Sequence, residues 1–314
     1  MNKAGLALSL CFLSLPVIAQ NVVLVSQVGG DFSDPVAALE AIGTTLPPAS
    51  PGNRYVVKVN PGVYSVSDSV EMKPYVDLEG SGIKTTVIRG AIGSSFGTPS
   101  DIQGIINAAS NSELRDLTIR NNWASSSAVA IAVDGTTGSA ITNVRSVSRG
   151  EAVDSGAWKY GIFIENSSGV RLTHVVARGT TSNDSLCQGV AARGSRVWIS
   201  DSRLVGAAGS CTIGLGLNAS MDSSVNVVNS RLRGGGSING ISVSGSSTEF
   251  GEQTTIRVRH SILNGAVFEG TPGESGTTTV LISHSQLTGP ITGTPVCFSS
   301  HDPDLNSLTT SCAP

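Results

Sequence analysis

The sequence predicts an all-β fold, a parallel β-solenoid, and three observations predict it. One phrase recurs seven times, as LRDLTIRN at 114–121, ITNVRSVSRG at 141–150, VRLTHVVARG at 170–179, VWISDSRLVG at 197–206, VNVVNSRLRG at 225–234, IRVRHSILNG at 256–265 and VLISHSQLTG at 280–289. The ends of the copies are separated by 29, 29, 27, 28, 31 and 24 residues, the mark of stacked supersecondary units joined by loops of variable length. Within each phrase apolar residues alternate with polar ones, as Val197 and Ile199 or Val225 and Val227 do, which is strand periodicity. No segment of helical period separates the copies, and the period falls short of the roughly 40 residues of a propeller blade. The Leu and Asn pattern of leucine-rich repeats and the GGxGxD of calcium-binding rolls are both missing.

Each element follows in order. Residues 1–19 read as a signal peptide, with Lys3 followed by an apolar run too short to span a bilayer and a cleavage site after Ala19. This implies a secreted or periplasmic protein whose mature part, 20–314, is one solenoid domain without membrane insertion. Residues 35–42 predict a short capping helix, because Asp34 can serve as N-cap, Pro35 suits the first helical position and an Ala-rich apolar stripe follows. A short strand, often opened by Gly as at Gly161, Gly189, Gly214 and Gly240, precedes each phrase. Residues 290–314, rich in Pro and holding two cysteines, predict a cap over the other end.

Composition narrows the function classes. The formal charge is −3, and −4 once Lys3 leaves with the leader, so nothing favours nucleic-acid binding. Cys187, Cys211, Cys297 and Cys312 form an even set in an exported chain, which favours disulfides. One period of stacking brings Cys187 to Cys211, and Cys297 and Cys312 then close the tail. No cysteine pair has CxxC spacing, so no metal and no cofactor is expected.

The N-terminal part resembles the opening of pectinesterases, members of the pectin-lyase-like superfamily of right-handed parallel β-helices. The resemblance is carried by GDF at 30–32, YVVKV at 55–59, PGVY at 61–64, LEGSG at 78–82 and TTVI at 85–88, and more weakly by 114–121. It implies a right-handed coil with activity on uronate polymers. Pectinesterases use two aspartates, as nucleophile and as acid/base, aided by glutamines and an arginine. Their Gln-Ala-Val corresponds to Ser127-Ala128-Val129, their Gln-Asp to the stretch from Glu151 to Asp154, and their Gly-x-Val-Asp-Phe has no counterpart around Ile162 to Asn166. These departures argue against esterase chemistry by that mechanism. The polygalacturonase motifs and the dense acidic cluster of pectate lyases are also missing.

Three groups of residues remain as candidates. Arg120, Arg149 and Arg178 each stand at or beside the end of a phrase, so stacking predicts a guanidinium ladder suited to bidentate recognition of carboxylates. Trp123, Trp158 and Tyr160 lie just beyond it, and such rings offer flat apolar surface to sugars. Glu151, Asp154 and Asp184 in the same loops are the candidate catalytic acids. His174, His260 and His284 share a repeat position with Asp116, Asp201 and Asn229, which Asn143 joins only through a two-residue insertion; short polar residues at a repeated turn point to a structural ladder. The leading expectation is an exported protein that binds acidic, uronate-containing polysaccharide. A polysaccharide lyase or esterase-like enzyme and a structural or adhesive surface protein stand as alternatives.

Overall fold

A computed structural model describes residues 20–95, 102–124, 127–150, 157–181, 186–206, 211–235, 239–246, 252–269, 276–293, 295–298, 300 and 308. The predicted signal peptide and most of the predicted C-terminal cap, Cys312 included, lie outside the described residues.

The chain winds as a right-handed parallel β-helix. Each coil contributes one strand to each of three ladders. The first holds strands such as Val170–Thr173, Arg196–Ser200 and Ser224–Val228, and the second Val176–Thr181, Arg203–Gly206 and Arg231–Arg233. The third holds Trp158–Glu165, Leu186–Arg193, Ile213–Ser220 and Asn239–Ser246. Glu113–Asn121 and Ala140–Gly150 run unbroken from the first ladder into the second, joining these two into one 18-stranded sheet, while the third ladder is a separate nine-stranded sheet. Inward Val, Ile and Leu from all three fill one continuous core, as Leu172, Ala177 and Ile164 do in a single turn of the helix. Within the region predicted as C-terminal cap, Ile291–Thr292 and Val296–Phe298 extend the third and first ladders by one rung each.

The corner between the first two ladders explains the Asp/Asn/His position. Asp116, Asn143, His174, Asp201, Asn229, His260 and His284 all adopt the left-handed conformation, with φ between +49° and +59°. Asn, Asp and His are the non-glycine residues that tolerate it best, so the sequence uses them where the chain must turn within a single residue. Neighbours also bond and stack along the helix: Asn143 Nδ2 donates to Asp116 Oδ1 at 2.6 Å, and the rings of His260 and His284 stack at 5.1 Å. Asn143 takes its place without an insertion, because Val144 pairs directly with Leu117.

A serine follows most of these corner residues and builds a second, buried ladder. The amides of Ser202, Ser230 and Ser261 donate to the hydroxyls of Ser230, Ser261 and Ser285 in the next coil, each at 3.1 Å. Each of these hydroxyls donates to the carbonyl two residues before its own serine. Backbone groups that the corner removes from the strand ladders therefore keep partners.

Glycines fix how thin the coil is. A Cβ on Gly189 would stand 2.6 Å from Gly216 O and 2.7 Å from Val205 N, and one on Gly161 would stand 2.5 Å from Arg178 N. The third ladder thus meets the second backbone to backbone, and no side chain fits between them.

At the N-terminal end the predicted helix forms over Pro35–Ala41, with Ile42 as its extended C-cap. Asp34 accepts from the Ala37 amide at 2.9 Å, and Ala38 and Leu39 bury against Val23 and Val25 of the first coil. Cys187 and Cys211 are bonded, with Cα atoms 6.0 Å apart, and both are buried. Their registers differ from the expected equivalence, since Cys187 pairs with Gly214 inside its strand.

Candidate functional site

Counting from each corner residue places the outer positions of the second ladder in two rows, in which Thr118, Val147 and Val205 are buried. Four residues after the corner stand Arg120, Val147, Arg178, Val205 and Arg233, paired rung to rung. Two residues after it stand Thr118, Arg145, Val176, Arg203 and Arg231. Arg149 belongs to neither row: it pairs with Thr180, and its Nε donates to Asn122 Oδ1 at 3.0 Å. The predicted ladder of Arg120, Arg149 and Arg178 on consecutive coils is therefore corrected. Arg120 and Arg178 share a row, Val147 separates them, and Arg145 and Arg203 come from the row beside it.

Arg145, Arg178, Arg203 and Arg233 line one groove of about 350 Å³ together with Ile83, Val176 and Val205. Among the described residues none of the four has an ion pair, and Arg178 Nε is buried without a hydrogen-bond partner. Burial, and then the positive charge of Arg145, Arg203 and Arg233, pushes the Arg178 guanidinium below its ordinary value. The acids of the N-terminal coils are spent elsewhere. Asp77, Glu79 and Glu113 pair with Arg54, Lys58 and Arg115, so an overall acidic chain carries a basic groove without an ion pair among the described residues.

The groove continues around the corner. Val176 and Arg203 also line a shallow depression with His174, Asp201, Asn229 and His260. Beyond it, Arg171 and Trp198 are register partners on the first ladder and line a further depression of about 320 Å³ with Thr173 and Ser200. The Trp198 ring is 53% exposed, the most open tryptophan of the described residues. Sequence reasoning passed over Trp198 because it sits inside a repeated strand rather than in a loop. Its outward position between the inward Val197 and Ile199 is the signal that finds it.

The loop aromatics lie away from this groove. Tyr160 is only 1% exposed and packs edge-on to Phe163 at 5.0 Å under the outer face of the third ladder, with Val129, Ala132 and Ala191. It is not a surface ring for sugar, which corrects that expectation, and burial raises its phenol well above the ordinary value. Trp123 is half-buried against Gly93, and its carbonyl accepts from Lys159 Nζ at 2.7 Å. Burial lowers the Lys159 ammonium to about 8. Trp158 is 39% exposed, 6.0 Å from the Tyr160 ring. Glu151, Asp154 and Asp184 lie outside the described residues. A different acidic pair is in view: Asp134 and Glu165 are register partners at the C-terminal ends of two adjacent strands of the third ladder, and Arg193 NH1 lies 3.4 Å from Glu165 Oε1. Burial raises both carboxyls, and Glu165 Oε2 is buried without a hydrogen-bond partner.

No family model matches the chain, and no curated protein matches it in sequence. Solved structures do. A pectin methylesterase mutant in complex with a hexasaccharide aligns at a TM-score of 0.52 and 15% identity, over 86% of this chain and 90% of that one. Pectin methylesterase from carrot aligns at 0.49 and 15%, over 88% and 85%. The Erwinia chrysanthemi enzyme PemA aligns at 0.49 and 14%, over 86% and 89%. At these identities the likeness is one of fold.

Proposed function

We propose that this chain, with the right-handed β-helix architecture seen in pectin methylesterases, is an exported protein that binds acidic polysaccharide along its second ladder, without pectinesterase chemistry. The observation that carries the reading is the groove of Arg145, Arg178, Arg203 and Arg233. Four guanidiniums with no counter-charge among the described residues repel one another, and an anionic ligand that supplies carboxylates offsets this repulsion. Arg suits this task because its planar fork bonds a carboxylate through two N–H groups at once. Val176 and Val205 between the arginines, and Trp198 around the corner, add apolar surface of the kind that sugar rings cover. Arg120 extends the same row.

Fold alone does not assign an activity, so the local chemistry has to. The departures from the pectinesterase motifs at Ser127, over 151–154 and around Ile162 to Asn166 support binding without esterase chemistry by an aspartate pair. The buried Cys187–Cys211 bond agrees with an oxidising compartment, and no helix among the described residues is long and apolar enough to cross a membrane. The test incubates the protein with uronate and neutral polymers while binding and products are followed together. Retention of uronate polymers without turnover supports the proposal. Unsaturated products, or release of methanol or acetate, replace it with a lyase or an esterase, and equal retention of neutral polymers removes it.

A further inference from the structure

We infer that the ligand is a uronate homopolymer in an extended two-fold ribbon, lying along the helix axis with one sugar per rung and its carboxylates alternating between the two edges. This rests on the reading above and adds the polymer's geometry. The two rows of the second ladder are out of phase. Passing rung by rung, the arginine stands in the outer row at Arg120, the inner row at Arg145, the outer at Arg178, the inner at Arg203 and the outer again at Arg233. Val147, Val176 and Val205 occupy the complementary positions of the three middle rungs. Five consecutive rungs therefore carry a zigzag of guanidiniums, with valines in antiphase on the three middle rungs; the zigzag ends where Arg89 precedes Arg120 in the outer row and where Arg231 adds a second arginine to the last rung.

Rungs of a parallel ladder are about 4.8 Å apart, roughly the advance of one pyranose ring, so arginines in one row recur at about 10 Å. A two-fold ribbon with an acid on every sugar turns successive carboxylates to opposite edges, and its ring faces lie between them. That is the pattern the arginines and valines complement. A copolymer with an acid on every second sugar presents one edge only and meets a single row. A densely sulfated chain has no need of the alternation.

The probe is a β-(1→4)-linked oligoglucuronate series from dimer to octamer, set against hyaluronan oligomers of matched length and against heparin. The affinity of oligoglucuronate is expected to rise about two- to fivefold with each added sugar, the gain of one solvent-exposed ion pair, and to level off near the pentamer. Hyaluronan oligomers are expected to bind more weakly at every length. Val205→Arg and Val176→Arg, which each place a charge off the zigzag and remove apolar surface from the groove, are expected to weaken oligoglucuronate binding and to strengthen heparin binding. Equal affinity for hyaluronan, no dependence on length, or a gain for oligoglucuronate in both variants overturns the ribbon geometry while leaving the basic groove intact. Failure of every uronate oligomer to bind overturns the groove reading itself.

Discussion

Arg178 and Val147 are partners in adjacent rungs of the second ladder, and their pairing separates the arginines that act together from one that does not. Counting back from the closing glycine puts Arg149 in line with Arg120 and Arg178. Counting forward from the left-handed corner residue puts Val147 there. The strand Ala140–Gly150 runs two residues past Ser148, the partner of Asn121, and this carries Arg149 out of the row.

The corner position tolerates exchange among the residues that accept a left-handed backbone. His174→Asn, His260→Asn and His284→Asn are expected to keep the fold and any binding, whereas Asn229→Ala is expected to lose about 1 kcal/mol or more in urea denaturation. Loss of binding with retained folding in the His variants would give these rings a role beyond the turn.

Ser230→Ala removes the acceptor for the buried Ser202 amide and is expected to cost about 1 to 3 kcal/mol, read as a lower denaturation midpoint. Ser224→Ala, at a half-buried strand position, serves as the comparison.

Gly189→Ala is expected to cost more than about 4 kcal/mol or to prevent folding, since both groups its Cβ would strike belong to the backbone of neighbouring strands. Gly52→Ala meets nothing within 4 Å and is expected to be neutral. Yield and melting temperature of the two variants test the pinch between the ladders.

Burial holds the Glu165 and Asp134 carboxyls toward their protonated forms. The folded state binds these protons more tightly than the unfolded chain, so the contribution is fully present below the ordinary values of 3.8 for Asp134 and 4.5 for Glu165 and is lost as pH rises through the higher folded values. Glu165→Gln is accordingly expected to be at least as stable as wild type at pH 7 and to lose that advantage near pH 4. An opposite trend in urea midpoints would mean that the Arg193 contact outweighs burial.

Architecture was legible in the sequence because every coil repeats the same alternation. The corner ladder was legible because Asp, Asn and His substitute for one another where φ is positive. Register was not, since it depends on where each strand ends, and loop length hides that: the seven closing residues are not equivalent, while the seven corner residues are. Register also places Gly214, not Cys211, opposite Cys187 in the next coil. The place of Tyr160 beside the arginines in sequence does not tell which way its ring points, and the ring joins a small apolar cluster.

The most direct test of the arginine groove is titration of a polyuronate at low and high salt into wild type, into Arg178→Ala/Arg203→Ala and into Arg149→Ala. The double variant is expected to lose about four- to twenty-five-fold in affinity at low salt, the product of two solvent-exposed ion pairs, and to show a flatter salt dependence. Arg149→Ala is expected to stay close to wild type. The free double variant should melt no lower than wild type, because removing like charges relieves repulsion in the empty groove. Unchanged affinity and salt dependence in the double variant would contradict the account.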